Sequence, residues 1–280
     1  MKKIALFLFI LSSLSLANDK PPHVSEATQH LNYVITSPSQ RYMKLKENNQ
    51  MLFVSVDTAL SETYNIIDIP LAFVYKDTFG IALYLPYVAS KFSSQKSQQG
   101  MGDVTTELSY NLGQLQDDIP LENNIFGLRY TFDNGDETKG LGMGMSSVSI
   151  FWDSTYIVDE DWTFLGSLMW TFYLDDVEIN GKKYSGGDED VLWFGIENNA
   201  LYEHKLTTSL KLNWWGKYNS IPKYSDAPKP SYDIVDATLQ IESSKLIKNT
   251  PLKAGVKLPL WSTSSVNNEL MFFVGISKYF

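Results

Sequence analysis

His23, His30 and His204 are the only histidines in this 280-residue chain. Cysteine is absent, which excludes a thiolate nucleophile, a disulfide framework and a cysteine-based metal site. A histidine working as a hydrolytic base must reach a serine hydroxyl. Residues two apart share a strand face, so a His-x-Ser pair is one arrangement that would bring them together. His204 stands in Glu203-His204-Lys205-Leu206, which lacks the serine, and His23 and His30 lie upstream of any regular pattern. Gly140-Leu141-Gly142-Met143-Gly144 imitates a phosphate loop, but no Lys-Ser or Lys-Thr follows and no helix begins there. It reads as a mobile loop. The acidic runs Asp133-Asn134-Gly135-Asp136-Glu137 and Asp188-Glu189-Asp190 carry oxygens that suit Ca²⁺ or Mg²⁺, yet such runs on loops are usually solvated. No enzyme activity, cofactor or metal site is expected, and a lipid hydrolase ranks third among the readings.

The remaining candidates are charges at alternating positions: Glu107, Arg129, Asp153, Glu197, Lys211, Asp236, Lys253, Lys257 and Glu269. Only strands place such residues on one face, because strand side chains alternate with period two. From Asp103 to Leu112, Val104, Thr106, Leu108, Tyr110 and Leu112 oppose Asp103, Thr105, Glu107, Ser109 and Asn111. From Leu252 to Leu260, Leu252, Ala254, Val256, Leu258 and Leu260 oppose Lys253, Gly255 and Lys257. A stretch beginning at Leu206 alternates likewise. The pattern predicts about twelve strands, at 51–60, 64–75, 79–92, 102–113, 122–133, 144–157, 161–174, 188–203, 205–218, 230–245, 250–261 and 267–280. Most exceed the usual ~5–6 residues of soluble strands and match the ~9–11 needed to cross a bilayer at a tilt.

Tight turns at Tyr75–Phe79, Tyr156–Trp162 and Tyr202–Leu206 largely alternate with longer polar loops at Ser93–Met101, Asn134–Met143, Asp175–Asp190 and Asn219–Pro230. Short turns at one rim and long loops at the other belong to outer-membrane barrels. The Ser61–Thr63 link is shorter, and Gln114–Leu121 longer, than that rule expects. Tyr75, Tyr156, Trp162, Tyr202 and Tyr218 stand at strand ends, where aromatic girdles form. The expected fold is therefore all-β, a closed antiparallel transmembrane barrel of about twelve strands over residues 49–280. A soluble β-sandwich or lipocalin-like barrel would alternate too, but with shorter strands.

Lys2 and Lys3, the apolar run Ile4–Leu14 and the small residues of Ser15-Leu16-Ala17 predict a signal peptide over 1–17, cut before Asn18. Residues 18–48, with Pro21, Pro22 and Pro38, read as an irregular periplasmic lead-in or partial plug. The formal charge is −9, from 23 basic and 32 acidic residues, so nucleic acid is not an expected partner. Leu270, Phe272, Val274, Ile276 and Phe280 share one face of the last strand. This resembles the C-terminal recognition strand read by the barrel-assembly machinery, with Lys278 where that pattern has an aromatic. Phe280 is the expected assembly signal.

Phe79-Gly80-Ile81-Ala82-Leu83-Tyr84-Leu85-Pro86-Tyr87, followed by Gly100-Met101-Gly102-Asp103-Val104, resembles the outer-membrane family labelled "MetA-pathway of phenol degradation". The resemblance covers about residues 65–113 and implies a transporter of aromatic or other apolar small molecules in the outer membrane of a Gram-negative cell. Asp103 itself reads most simply as the start of a strand. The expected function is a porin-like channel for passive passage of small solutes, hydrophobic or aromatic ones among them. Its surroundings would be outer-membrane lipid and lipopolysaccharide. The rival reading is a structural or surface-binding barrel that transports nothing. With only Arg41 and Arg129 in the chain, an arginine ladder for acidic sugars is disfavoured.

Overall fold

The computed structural model describes residues 50–62, 64–90, 98–113, 121–136, 141–142, 144–179, 182–185, 188–199, 206–218, 232–247, 250–262 and 269–280. The leader, the 18–48 segment, Tyr202 and all three histidines lie outside them. Among the described residues fifteen strands follow in order: β1 Gln50–Leu60, β2 Tyr64–Tyr75, β3 Phe79–Ser90, β4 Gln98–Met101, β5 Thr105–Asn111, β6 Leu121–Thr131, β7 Ser147–Ile157, β8 Trp162–Tyr173, β9 Asp176–Ile179, β10 Lys182–Ser185, β11 Asp188–Asn198, β12 Leu206–Tyr218, β13 Tyr232–Ile247, β14 Thr250–Ser262 and β15 Met271–Tyr279.

Neighbouring wall strands pair antiparallel around a full circuit, and β1 pairs with both β2 and β15, so the sheet closes. Twelve strands form the ring. β4 adds to one of them: the upper part of β3 pairs with β4 and its lower part with β5. The strand expected at 102–113 is thus one wall strand in two pieces, broken at Gly102-Asp103-Val104 and starting earlier, at Gln98. β9 and β10 form a separate hairpin in the connection after β8, a feature hidden in sequence because four-residue strands carry too few alternations to read.

The alternation has the expected sense. Leu52, Val56, Leu108, Tyr110, Leu210, Leu212, Phe272 and Val274 face outward and are exposed, while Ser55, Asp57, Glu107, Lys211 and Lys253 are buried inside. Closure pairs the backbone N–H and C=O groups that lipid could not satisfy, and the apolar outer face suits hydrocarbon. At one rim, Lys76 and Asp77 both take positive φ (52° and 55°) and Thr78 N–H donates to Tyr75 O at 3.1 Å. That is the hairpin turn whose twist matches the flanking strands. Asn111 ties the same rim together: its Nδ2 donates to Asp77 O and Asn123 Oδ1, each at 3.1 Å.

Two glycines let aromatic rings lie flat on the inner wall. Gly127 faces Phe151 across β6 and β7, and Gly255 faces Phe273 across β14 and β15. A Cβ at Gly255 would run into the Phe273 ring and the Leu239 carbonyl oxygen. Backbone cannot yield as a flexible side chain can, so Gly255→Ala is expected to destabilise the barrel by ~1–3 kcal/mol. Gly166→Ala is the control, since its Cβ would meet nothing nearer than Ser154 Oγ at 3.5 Å. The temperature at which the folded band converts on a semi-native gel should fall for the first variant and stay put for the second.

Candidate functional site

The inner wall holds the candidate site, and the register builds it row by row. Along one row Pro86 of β3, Asp68 of β2, Asp57 of β1, Gly275 of β15, Lys253 of β14 and Glu242 of β13 are successive cross-strand partners. Gly275 matters here. Any Cβ would collide with Asp57 Oδ1, and Lys253 Cβ lies 3.9 Å from the same point. The missing side chain lets an acid and a lysine share the gap between them. Ser55 Oγ donates to Asp57 Oδ1 at 3.0 Å and bonds Ser277 Oγ at 3.0 Å. Neither carboxylate oxygen of Asp68 finds a hydrogen-bond partner among the described residues.

A second group spans β3, β5, β6 and β7. Glu107 Oε2 accepts from Tyr84 Oη at 2.8 Å and from Arg129 Nε at 2.9 Å, and Arg129 Nη2 also lies 2.9 Å away. The guanidinium stands 5.4 Å from the Tyr84 ring centre and 5.1 Å from that of Phe151. Planar, charged and stacked on rings, an arginine suits such a setting better than a lysine would. A third group lies on β7, β8 and β11 to β13. Ser167 donates to Asp153. Asn213 Nδ2 donates to Asp236 Oδ1 at 2.6 Å and Thr238 Oγ1 at 3.2 Å. Lys211 lies over Trp193, 5.0 Å from the ring centre, with its stem against Gly195, where a Cβ would be 3.0 Å from Lys211 Cγ.

Of the residues singled out from sequence, Glu107, Arg129, Asp153, Glu197, Lys211, Asp236, Lys253 and Lys257 are all buried on the inner wall. Glu269 is different. It is half-buried and precedes β15 rather than standing in a strand. Asp57, Asp68, Glu242 and Tyr84 belong with the group but were not singled out. The signal for Asp57 was present in Phe53, Ser55, Asp57 and Ala59, which alternate with Val54, Val56, Thr58 and Leu60. For Tyr84 it was weak, because Phe79–Tyr87 is apolar on both faces.

No protein-family model matches the sequence, and no curated protein matches it. Solved structures do match. The fold is similar to that of the COG4313 outer membrane channel from Pseudomonas putida F1, with TM-score 0.62 and 12% identity, over 82% of this chain and 95% of that one. It is also similar to the NanC porin, with TM-score 0.56 and 10% identity, over 81% of this chain and 98% of that one. The likeness is one of fold.

The rim with the longer loops departs from expectation. In the described part of the glycine-rich run read as a mobile loop, Leu141 and Gly144 are buried, as is the adjacent Met145. Asp103 is more than a strand start. Only 5% exposed, it accepts the Gly135 N–H at 2.8 Å and the Asn134 N–H at 3.3 Å. Nearby, Ser146 donates its hydroxyl at 2.6 Å and its N–H at 3.2 Å to Asp175 Oδ2, which holds that carboxyl below its ordinary range. Asp133 is pushed up, first by burial and then by the charge of Asp175. The run Asp188–Asp190 opens β11 rather than sitting in a loop. Among the described residues no three His, Cys, Asp or Glu side chains gather as a metal would require.

Proposed function

We propose that this chain is an outer-membrane channel for the passive passage of small molecules, hydrophobic or aromatic ones among them. The observation that carries the reading is the inner wall of a twelve-stranded ring, where charges of both signs alternate with Tyr84, Phe151, Trp193 and Phe273. A ring of about eight strands is just filled by its own side chains, and the interior widens with strand number. Here Gly127, Gly255 and Gly275 let neighbouring side chains lie against the wall. Lys211, Asn213 and Asp236 are nonetheless fully buried. That favours a narrow path over a wide aqueous pore. Rings beside hydrogen-bonding charges suit a solute with an apolar body and a polar group. The apolar outer face favours lipid and lipopolysaccharide as surroundings and the barrel-assembly machinery as the route there. The fold shared with a channel and a porin supports the same reading.

The complete burial of so many inward side chains favours a second reading, a closed barrel with a structural or surface-binding role. Liposome uptake separates the two. Vesicles carrying the folded protein should take up a small aromatic probe faster than empty vesicles. Equal rates, with no swelling in small polar solutes, would move the account to the closed barrel.

A further inference from the structure

We propose that Leu141, carried by the connection between β6 and β7, narrows this barrel at its mouth and sets the size of solute it admits, and that Asp103 is the positioning residue that holds it in place. This rests on the channel reading and adds to it where the selection occurs. The described part of the connection does not stand away from the rim. Leu141, 3% exposed, packs in one apolar cluster with Ala59, Tyr64, Ile66, Val88, Met271 and Phe273, which belong to β1, β2, β3 and β15. Those are inner-wall positions, and none belongs to β6 or β7. Leu141 therefore sits on the inner side of the wall strand formed by β4 and β5, an aliphatic side chain inside the mouth.

What holds it there is a reciprocal set of bonds at the break in that strand. Besides the two N–H groups that Asp103 accepts, Asn134 Oδ1 accepts the Val104 N–H at 2.8 Å and Asn134 Nδ2 donates to Gly102 O at 3.3 Å. Backbone amides aimed at a buried carboxylate make strong, charge-assisted bonds. Four glycines fit the loop to this anchor. A Cβ on Gly142 would lie 2.5 Å from Asp103 Oδ1, and one on Gly135 2.9 Å from it. A Cβ on Gly100 would lie 2.8 Å from Leu141 Cδ1, and one on Gly102 3.1 Å from Leu141 O. The glycines of Gly100-Met101-Gly102-Asp103 therefore seat Leu141, and the acid that follows them ties the loop. Leu141 N–H closes the turn on Asp136 O at 3.0 Å.

The latch can be removed without touching the wall charges. Asp103→Ala deletes the acceptor, Asp103→Asn keeps an accepting oxygen, and Leu141→Ala trims the obstruction while leaving the anchor. In planar bilayers, Asp103→Ala and Leu141→Ala should each raise single-channel conductance roughly two-fold or more, as a constriction that limits passage is widened. Both should admit larger solutes in liposome swelling. Asp103→Asn should stay near the wild type. Loss of stability alone would leave conductance per channel unchanged, so this readout separates positioning from mere folding. If the wild type conducts and the Leu141→Ala channel keeps its conductance and cut-off, the constriction is overturned while the channel reading stands, and this holds even if Asp103→Ala fails to fold. If wild type and folded variants are all silent to ions and solutes, the channel reading fails and takes the constriction with it.

Discussion

Arg129→Met is expected to lower the stability of the barrel by ~3–5 kcal/mol, the cost of leaving a buried charge without its partner. Arg129 and Glu107 are cross-strand neighbours on β6 and β5, exposed by only 4% and 2%. Without the guanidinium, Glu107 Oε2 keeps the Tyr84 hydroxyl among the bonds described above and loses the charge-assisted bond from Nε and the Nη2 charge beside it. Methionine preserves much of the stem volume, so the loss reports on charge more than on a cavity. Adding Glu107→Gln should return most of the stability, because a pair replaced by neutral groups of similar size is often nearly neutral in cost. Urea unfolding of the detergent-solubilised protein measures both variants. A loss below ~1 kcal/mol for Arg129→Met would place the pair in the range of exposed ion pairs and contradict its burial.

The second large effect concerns ion preference. Besides Asp103 at the rim, six carboxyl residues are buried among the described residues: Asp57, Asp68, Glu107, Asp153, Glu197 and Asp236. They face four buried cations: Arg129, Lys211, Lys253 and Lys257. An acidic interior should favour cations. Lys253 and Lys257 are on the inner face of β14, and Lys253 sits between Asp57 and Glu242 in its row. Changing both to Glu turns six against four into eight against two. Unit charges ~4–10 Å apart interact by about 2–4 kcal/mol at an effective dielectric of ~20. Since ~1.4 kcal/mol is a factor of ten, a several-fold rise in cation over anion permeability is expected even after heavy screening. The reversal potential in a salt gradient should move toward the cation limit, and Lys→Gln at both sites should move it about half as far. No movement with either pair would mean that β14 does not border the path.

The wall was legible in the sequence because one face of each strand meets an apolar environment and the other does not. That contrast survives in Asp103–Leu112 and Leu252–Leu260 as strict alternation, which is why Glu107, Lys253 and Lys257 could be placed on one face. It fades where both faces are apolar, as around Tyr84. The break at Gly102–Val104 was not legible, because a carboxylate that captures amides from a loop thirty residues on leaves no periodic trace. The same holds for Leu141. A leucine between glycines looks like loop in a sequence, and only the distant Val88, Tyr64 and Phe273 make it part of a packed cluster. Glu269 was assigned to a strand because the alternation was extended upstream of the point where β15 begins.

The central claim is that a narrow path lined by these charges runs through the barrel. Single-channel recording of the purified, folded wild-type protein in a planar bilayer under a potassium chloride gradient tests it most directly. The account predicts discrete small current steps with a reversal potential on the cation-selective side. A bilayer that stays silent while the inserted protein is verified as folded, or steps that favour chloride, would contradict it.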